Sequence, residues 1–323
     1  RIAQGYNDAV STFSATRSQA QGMVVQVNAL ATQVAQLNDQ IRQATAAGQS
    51  PNEMLDQRAR LTNSLANLTG ATVVDRADGS ADVLVGGNPL VTGNKTHTLV
   101  LTGAAIMNDA NTLPVQLEWA NSPGRSAELT GGALAAAVGA LAPGSASGGG
   151  SILSAADTYN ALANQLATQV NAIHRTGATS TGTTNLDFFA FAAGKPAALG
   201  LTIVPADVSG IAAATPGKGG LDGSLADTIA ALGTSATGPD AAWSDFVVRI
   251  GIATAKATDQ AKTATQAAAS ATSKLLSETS VDMDEETTSL ITYQHAYQGA
   301  ARVMTAIDEM LDTLINRTGL VGR

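Results

Sequence analysis

The chain has 323 residues, a formal net charge of −8, no cysteine and only 3% aromatic residues. This charge argues against a nucleic-acid-binding protein, because neutralising phosphates needs clustered Lys and Arg. The lack of cysteine excludes disulfides, thiolate catalysis and Cys-based metal sites. The longest apolar stretch, ALAAAVGALA at 133–142, is too short to span a bilayer.

The first segment predicts a long helix that packs along one narrow seam. Apolar residues recur at alternating spacings of four and three from Ile2 through Tyr6, Phe13 and Val27 to Ala44. At about 1.5 Å per residue the helix would be roughly 65 Å long, which is more typical of a filament subunit than of a compact domain. The chain begins with Arg1 inside this pattern, so we interpret it as a piece of a longer protein.

The segment AAGQSPNE at 46–53 predicts the end of this helix and the start of a second one. Ser50 fits an N-cap, Pro51 the first helical position and Glu53 the third, which together would form a capping box. The second helix continues through Leu61 to Leu68, so the two helices should form an antiparallel hairpin.

Residues 70–127 predict a small β insert that faces outward. The segment ATVVDRADGSADVLVGG has the pattern of a strand, an Asp78-Gly79 turn and a second strand. THTLVLTG and LPVQLEWA have the pattern of two further strands.

Helical periodicity returns at 128–142, at Ile152–His174 and in a long helix from about Asp240 to Ser277. The last of these has a seam of Phe246, Ile250 and a series of alanines. Residues 178–239 are loop-rich and predict an insert with short strands. The predicted fold class is mainly α with β inserts (α+β), in which long antiparallel, coiled-coil-like helices form a rod. Its discontinuous helical domain would comprise residues 1–69, 128–175 and 240–280.

The C-terminal segment, 281–323, predicts an assembly helix with its own heptad seam. Asp282 fits an N-cap with Glu285 three residues later, which places the acidic cluster at the positive end of the helix dipole. The seam should contact a partner helix and consists of Leu290, Tyr293, Tyr297, Ala300, Met304, Ile307, Leu311 and Leu314.

No segment predicts a catalytic, cofactor-binding or metal site. The histidines, His97, His174 and His295, have no acid or second His at metal-ligand spacing, so we interpret them as solvated or helix-surface residues. The acidic cluster lacks the glycine and the final glutamate of an EF-hand loop. PGKGGLDG at 216–223 lacks the glycine spacing of a nucleotide-binding loop.

Several stretches resemble a known family. VDMDEETTSLITYQHAYQGAARVMTAIDEMLDTLIN at 281–316 is similar to the C-terminal signature of flagellar axial proteins. VNALATQVAQLNDQI, SPNEMLDQRARLTNSLANLTGATVV and LANQLATQVNAIHRTG resemble the flagellar hook-associated protein 1 family, the hook–filament junction proteins. In the last of these stretches Asn171, Ile173, His174 and Gly177 match the family pattern. The family usually has a further N-terminal helix, which would precede Arg1 and pair with the C-terminal helix.

This resemblance implies a secreted structural protein of the bacterial flagellum that is exported unfolded through the type III pathway. It implies an extracellular location at the hook–filament junction and no catalysis. The implied partners are a ring of identical subunits, the hook protein, the second hook–filament junction protein and a flagellar export chaperone, with no nucleic acid and no membrane. The alternatives are another axial protein (the second junction protein or flagellin), or an extracellular enzyme or ligand-binding module that uses the β insert.

Overall fold

Long helices dominate the computed structural model, which describes residues 1–144, 150–219, 221–279 and 283–312. Small antiparallel sheets lie between them along the chain, so the predicted mainly helical fold with a β insert is confirmed. The helices are α1 (Ile2–Ala46), α2 (Asn52–Thr69), α3 (Gly132–Leu141), α4 (Ser151–His174), α5 (Ala197–Gly200), α6 (Ser224–Ala230), α7 (Pro239–Thr279) and α8 (Met283–Asp312).

The chain divides into two units, Arg1–Val247 and Val248–Arg323. The first unit contains the sheets and α1 to α6, together with the first turns of α7. The second contains the rest of α7 and all of α8. The finer division into a discontinuous helical domain, two inserts and an assembly helix stays a prediction.

α1 supplies the core of the first unit. The predicted seam residues Tyr6, Phe13, Val27 and Val34 are all buried, and Phe13 is fully inaccessible. The buried face is wider than a coiled-coil seam, because it also includes residues such as Val24. The reason is that α1 packs on several sides, against α2, α3, α4 and strand β5 (Leu99–Thr102).

The β insert consists of two antiparallel sheets. The predicted hairpin around Asp78-Gly79 is confirmed, since Thr72 faces Leu84 and Asp75 faces Ala81. Two strands that the sequence did not predict, NPLVT and SPGRS, contain proline, which normally indicates a turn or an edge strand. The first sheet is β1 (Thr72–Asp75), β2 (Ala81–Val85), β3 (Asn88–Thr92) and β4 (Lys95–Thr96), and the second is β5, β6 (Gln116–Trp119) and β7 (Ser122–Ser126).

Two asparagines of α1 fasten the sheets to the helix. Asn28 accepts a hydrogen bond from the Leu99 amide and donates one to the Leu99 carbonyl, both at 2.9 Å. Asn38, which is 1% exposed, donates to the carbonyls of Ala81 and Gly93 at 2.7 Å. Its Oδ1 accepts from the Ala81 amide and from Arg58. The two asparagine side chains form the hydrogen bonds that a neighbouring strand would otherwise form. The helix can therefore pack against backbone groups of the sheets that have no strand partner.

The predicted capping box at the start of α2 is wrong. α2 begins at Asn52, its N-cap position is Pro51 with ψ of 43°, and no side chain caps it. Ser50 therefore lies one residue before the N-cap position, and its side chain does not accept hydrogen bonds from the first free amide groups of α2. Gly48, with φ of 76°, lies just beyond α1, where the predicted helix end falls.

α4 organises the loop-rich segment that follows it. Asn171 Oδ1 accepts from the amides of Phe188 and Phe189, and its Nδ2 donates to the Phe189 carbonyl. One turn later His174 Nδ1 lies 2.7 Å from the Leu186 carbonyl, and its Nε2 accepts from the Ala212 amide at 2.9 Å. A short antiparallel pair, β8 (Phe189–Phe191) and β9 (Leu201–Ile203), forms beyond this anchor.

The interpretation of His174 as a surface residue is wrong. The side chain is 0% exposed, and its two bonds fix the neutral ring with the proton on Nδ1, because a carbonyl can only accept. Gly177 belongs to the same anchor, since a Cβ there would lie 2.8 Å from the Ala212 carbonyl oxygen. Asn171, His174 and Gly177, which match the family pattern, therefore have a structural role: they anchor the segment that follows α4.

Replacing His174 should destabilise the first unit. In His174→Phe the Leu186 carbonyl and the Ala212 amide would lose their buried partner, which we expect to lower the free energy of unfolding by about 2–4 kcal/mol. Urea denaturation followed by circular dichroism measures this loss. His295→Phe, at an exposed position on α8, is the matched control and should change stability by less than about 0.5 kcal/mol. Equal stability of the two variants would contradict the anchoring role.

Acid should also weaken the loops after α4. A hydrogen bond from Arg175 holds the pKa of Asp187 below its usual range, and the Thr215 amide does the same for Asp222. A carboxylate with a lowered pKa stabilises the fold above its unfolded-state pKa of about 3.9, and this contribution is lost as the pH falls further. We expect the melting temperature to fall below about pH 4, and less steeply in Asp187→Asn and Asp222→Asn. Asp56→Asn, at an exposed position on α2, removes a carboxylate outside these loops and is the control.

Candidate assembly surface

α8 is exposed along its whole described length. All 30 residues of the helix, from Met283 to Asp312, are exposed. A helix in a protein normally gains most of its stability by packing an apolar face. A helix that carries such a face and buries none of it in the single chain has the character of an assembly surface.

The structure places most of the predicted seam on one exposed face of α8. Tyr293 and Tyr297 are 75% and 79% exposed, and Leu311 is 50% exposed. Leu290, Ala300, Met304 and Ile307 are exposed as well. Heptad spacing puts them in one stripe along the helix. Leu314 and the predicted cap residue Asp282 lie outside the described residues, so the cap stays a prediction.

Three further apolar residues widen this stripe and were not predicted. Met283 lies seven residues before Leu290 and extends the stripe by one heptad. Val303 and Met310, at 58% and 69% exposure, each lie one residue before a seam position. Their own spacing of seven residues is the signal that could have found them. The name α8 seam is used below for Leu290, Tyr293, Tyr297, Ala300, Met304, Ile307 and Leu311.

Acidic side chains lie at both ends of α8. Asp284, Glu285 and Glu286 occupy the first turn, where the helix dipole favours negative charge. Asp308 and Glu309 lie near the other end, and Arg302 is the basic residue between them. The surface around the seam is therefore predominantly negative.

α7 presents a second exposed surface within the same unit. From Val248 to Glu278 every residue is exposed, including Ile250 at 45% and Ile252 at 64%. One side of this helix carries the residues Ile252, Ala255, Lys256, Asp259, Gln260, Thr263, Ala264 and Ala267.

A polar cleft of about 350 Å³ lies in the first unit between α1, α4 and two loops. The Tyr6 hydroxyl donates to Asn108 Oδ1 at 3.0 Å. Burial and the nearby carboxylate of Asp157 raise the pKa of Tyr6, so the phenol remains a hydrogen-bond donor. Its observed bond joins α1 to the loop at residue 108, so we interpret Tyr6 as a structural residue.

None of the helices in 1–144, 150–219, 221–279 and 283–312 is long and apolar enough to cross a membrane. Within the same ranges no group of three or more His, Asp or Glu side chains is placed to hold a metal ion.

Known proteins resemble the chain over most of its length. It is 27% identical to flagellar hook-associated protein 1 of Bacillus subtilis over 344 aligned positions, which cover 93% of this chain and 65% of that protein. It is 31% identical to flagellar hook-associated protein 1 of Escherichia coli, with 58% of this chain and 33% of that protein covered. The chain thus spans about two thirds of the first relative and one third of the second.

A solved structure shares the fold. The flagellar hook junction protein FlgK from Burkholderia pseudomallei superposes with a TM-score of 0.50 at 29% identity, covering 59% of this chain and 34% of that one. Residues 272–317 match the family model for the C-terminal region of the flagellar basal body rod FlgEFG proteins. Residues 1–189 match the model for the helical domain of the flagellar hook-associated protein FlgK. Because this second match covers more than half of the chain, the protein belongs to the FlgK hook-associated family.

Proposed function

We propose that the protein is a structural subunit of the bacterial flagellum, located outside the cell at the junction between hook and filament, without catalytic activity. The observation that carries this proposal is the match of residues 1–189 to the FlgK helical domain. The relatives and the solved structure that resemble it are named as hook-associated or hook junction proteins.

The exposed α8 seam is the proposed assembly surface. Fully burying a Leu, Ile or Met side chain contributes about 1.5–3 kcal/mol, so a partner that covers Leu290, Met304, Ile307 and Leu311 would gain several kcal/mol. The match of residues 272–317 to the C-terminal region of rod proteins supports this, because it includes all seven seam residues. The proposed partners are identical subunits, the hook protein and the second junction protein, with an export chaperone before assembly.

Electron microscopy with immunogold labelling tests the location. Cells that lack their own hook-associated protein 1 and produce this protein should show one labelled band at the hook end of each filament. Label along the whole filament would indicate a flagellin-like subunit, and label away from flagella would overturn the proposal. A preparation with the same antibody on cells without the protein is the control.

A further inference from the structure

We infer that the β insert binds a small oxyanion, a carboxylate or a phosphate, in an open cavity between its two sheets. The cavity has a volume of about 150 Å³, which is enough to hold one molecule of the size of benzene. It belongs to the Arg1–Val247 unit, so the inference does not depend on the α8 seam. Its lining residues, called the insert cavity below, are Asn88, Pro89, His97, Trp119, Asn121, Ser122 and Arg125.

Strand pairing and hydrogen bonds hold the walls of the insert cavity in place. Asn88 lies on β3, and Trp119 of β6 faces Ser122 of β7 across the second sheet. His97, between β4 and β5, donates its amide to the Leu90 carbonyl at 2.8 Å. The His97 ring lies edge-on to the Trp119 indole, with the ring centres 6.3 Å apart. These side chains are therefore arranged before a ligand binds, which lowers the cost of ordering them.

The lining of the insert cavity contains a guanidinium group but no Asp or Glu. Arg125 Nη2 donates to the neutral amide oxygen of Asn88 at 3.0 Å. Among the described residues Arg125 has no carboxylate partner, whereas Arg76 in the same insert pairs with Asp82. A guanidinium has five N–H donors and can bond two oxygens of one oxyanion side by side. Because a cation would be repelled by Arg125, the ligand should be an anion.

Trp119 supplies a second hydrogen-bond donor in the wall of the insert cavity. The residue is 5% exposed, and its Nε1 has no acceptor among the described residues. A buried indole N–H usually has a partner. The carboxylate of Glu118, the preceding residue, accepts instead from the Gly124 amide and the Gln116 side chain. An oxyanion has enough lone pairs to accept from both the guanidinium and the indole.

Nuclear magnetic resonance of the whole chain tests the inference through the indole N–H signals. The sequence contains two tryptophans, so Trp243→Phe identifies the signal of Trp119. Sodium acetate and sodium phosphate are titrated separately at an ionic strength held constant with sodium chloride. We expect at least one of these anions to shift the Trp119 signal in a saturable way. The anion that saturates at the lower concentration shows whether the site favours a carboxylate or a phosphate.

Two substitutions in the insert cavity should weaken this binding. Arg125→Gln should raise the dissociation constant at least about tenfold, because a hydrogen bond to a charged group contributes about that factor or more. Asn121→Asp adds a carboxylate to the lining and should weaken binding by charge repulsion. Arg60→Gln, at an exposed position on α2, removes the same charge as Arg125→Gln and is the matched control that should bind like the wild type.

The inference is overturned if neither anion moves the Trp119 signal, or if sodium chloride alone moves it to the same extent. Equal affinity of Arg125→Gln and the wild type would also overturn it. Circular dichroism establishes that each variant keeps its secondary structure, so that a loss of binding can be assigned to the insert cavity.

Discussion

Leu311→Asp should abolish incorporation of the protein into flagella while leaving the Arg1–Val247 unit folded. Leu311 is 50% exposed in the single chain, and a surface substitution away from the core usually changes stability by less than about 0.5 kcal/mol. Once the seam is covered by a partner, the same carboxylate would be buried in an apolar contact. We expect that burial to cost at least about 3 kcal/mol, which corresponds to a loss of binding of more than about 100-fold.

Complementation of a strain that lacks the protein measures this effect through swimming motility and through filaments counted by electron microscopy. Gln298→Asp adds the same charge to the opposite side of α8 and should support normal assembly. Normal filaments from Leu311→Asp would contradict the role of the seam. Loss of filaments from both variants would indicate that added charge alone, at either position, prevents assembly.

Asn38→Leu should be among the most destabilising single changes in the first unit. The substitution leaves the Ala81 amide, the carbonyls of Ala81 and Gly93, and one Arg58 contact without their partner. Unsatisfied buried groups cost about 1–3 kcal/mol each, so we expect a loss of roughly 3–5 kcal/mol after some relaxation. The melting temperature should fall by on the order of 10 °C.

Chemical denaturation gives the stability, and amide hydrogen exchange at Ala81 reports whether the sheet separates from the helix. Faster exchange at Ala81 in the variant would identify loss of the helix–sheet contact as the cause. Asn7→Leu, at an exposed position on the same helix, is the matched control and should be close to wild type. A loss below about 1 kcal/mol for Asn38→Leu would mean that water replaces the asparagine bonds.

Periodicity was sufficient to predict the long helices and the first hairpin of the β insert. The seam from Tyr6 to Val34 is regular because α1 keeps one face in the core for its whole length. The strands β3 and β7 were not predicted, since Pro89 and Pro123 are typical of turns and sheet edges. Both strands form short hairpins with the strand before them, since Val85 faces Asn88 and Trp119 faces Ser122.

The anchoring polar residues could not be predicted from the local pattern. Asn38 and His174 occupy buried positions because backbone groups 38 to 55 residues away meet their side chains. A sequence pattern records the polarity of a residue but not the partner that satisfies it. The α8 seam was easier to recognise, because a repeated heptad needs no knowledge of distant contacts. Its partner stays a prediction.

The attachments of α1 to the β insert have a mechanical consequence. Arg17 bonds the Ala104 carbonyl, Asn28 bonds Leu99 and Asn38 bonds Ala81, at positions spread over about 32 Å of helix. Bending or twisting α1 between these points would stretch hydrogen bonds to two sheets at once. In the proposed junction subunit, α1 and the two sheets should therefore resist torque together.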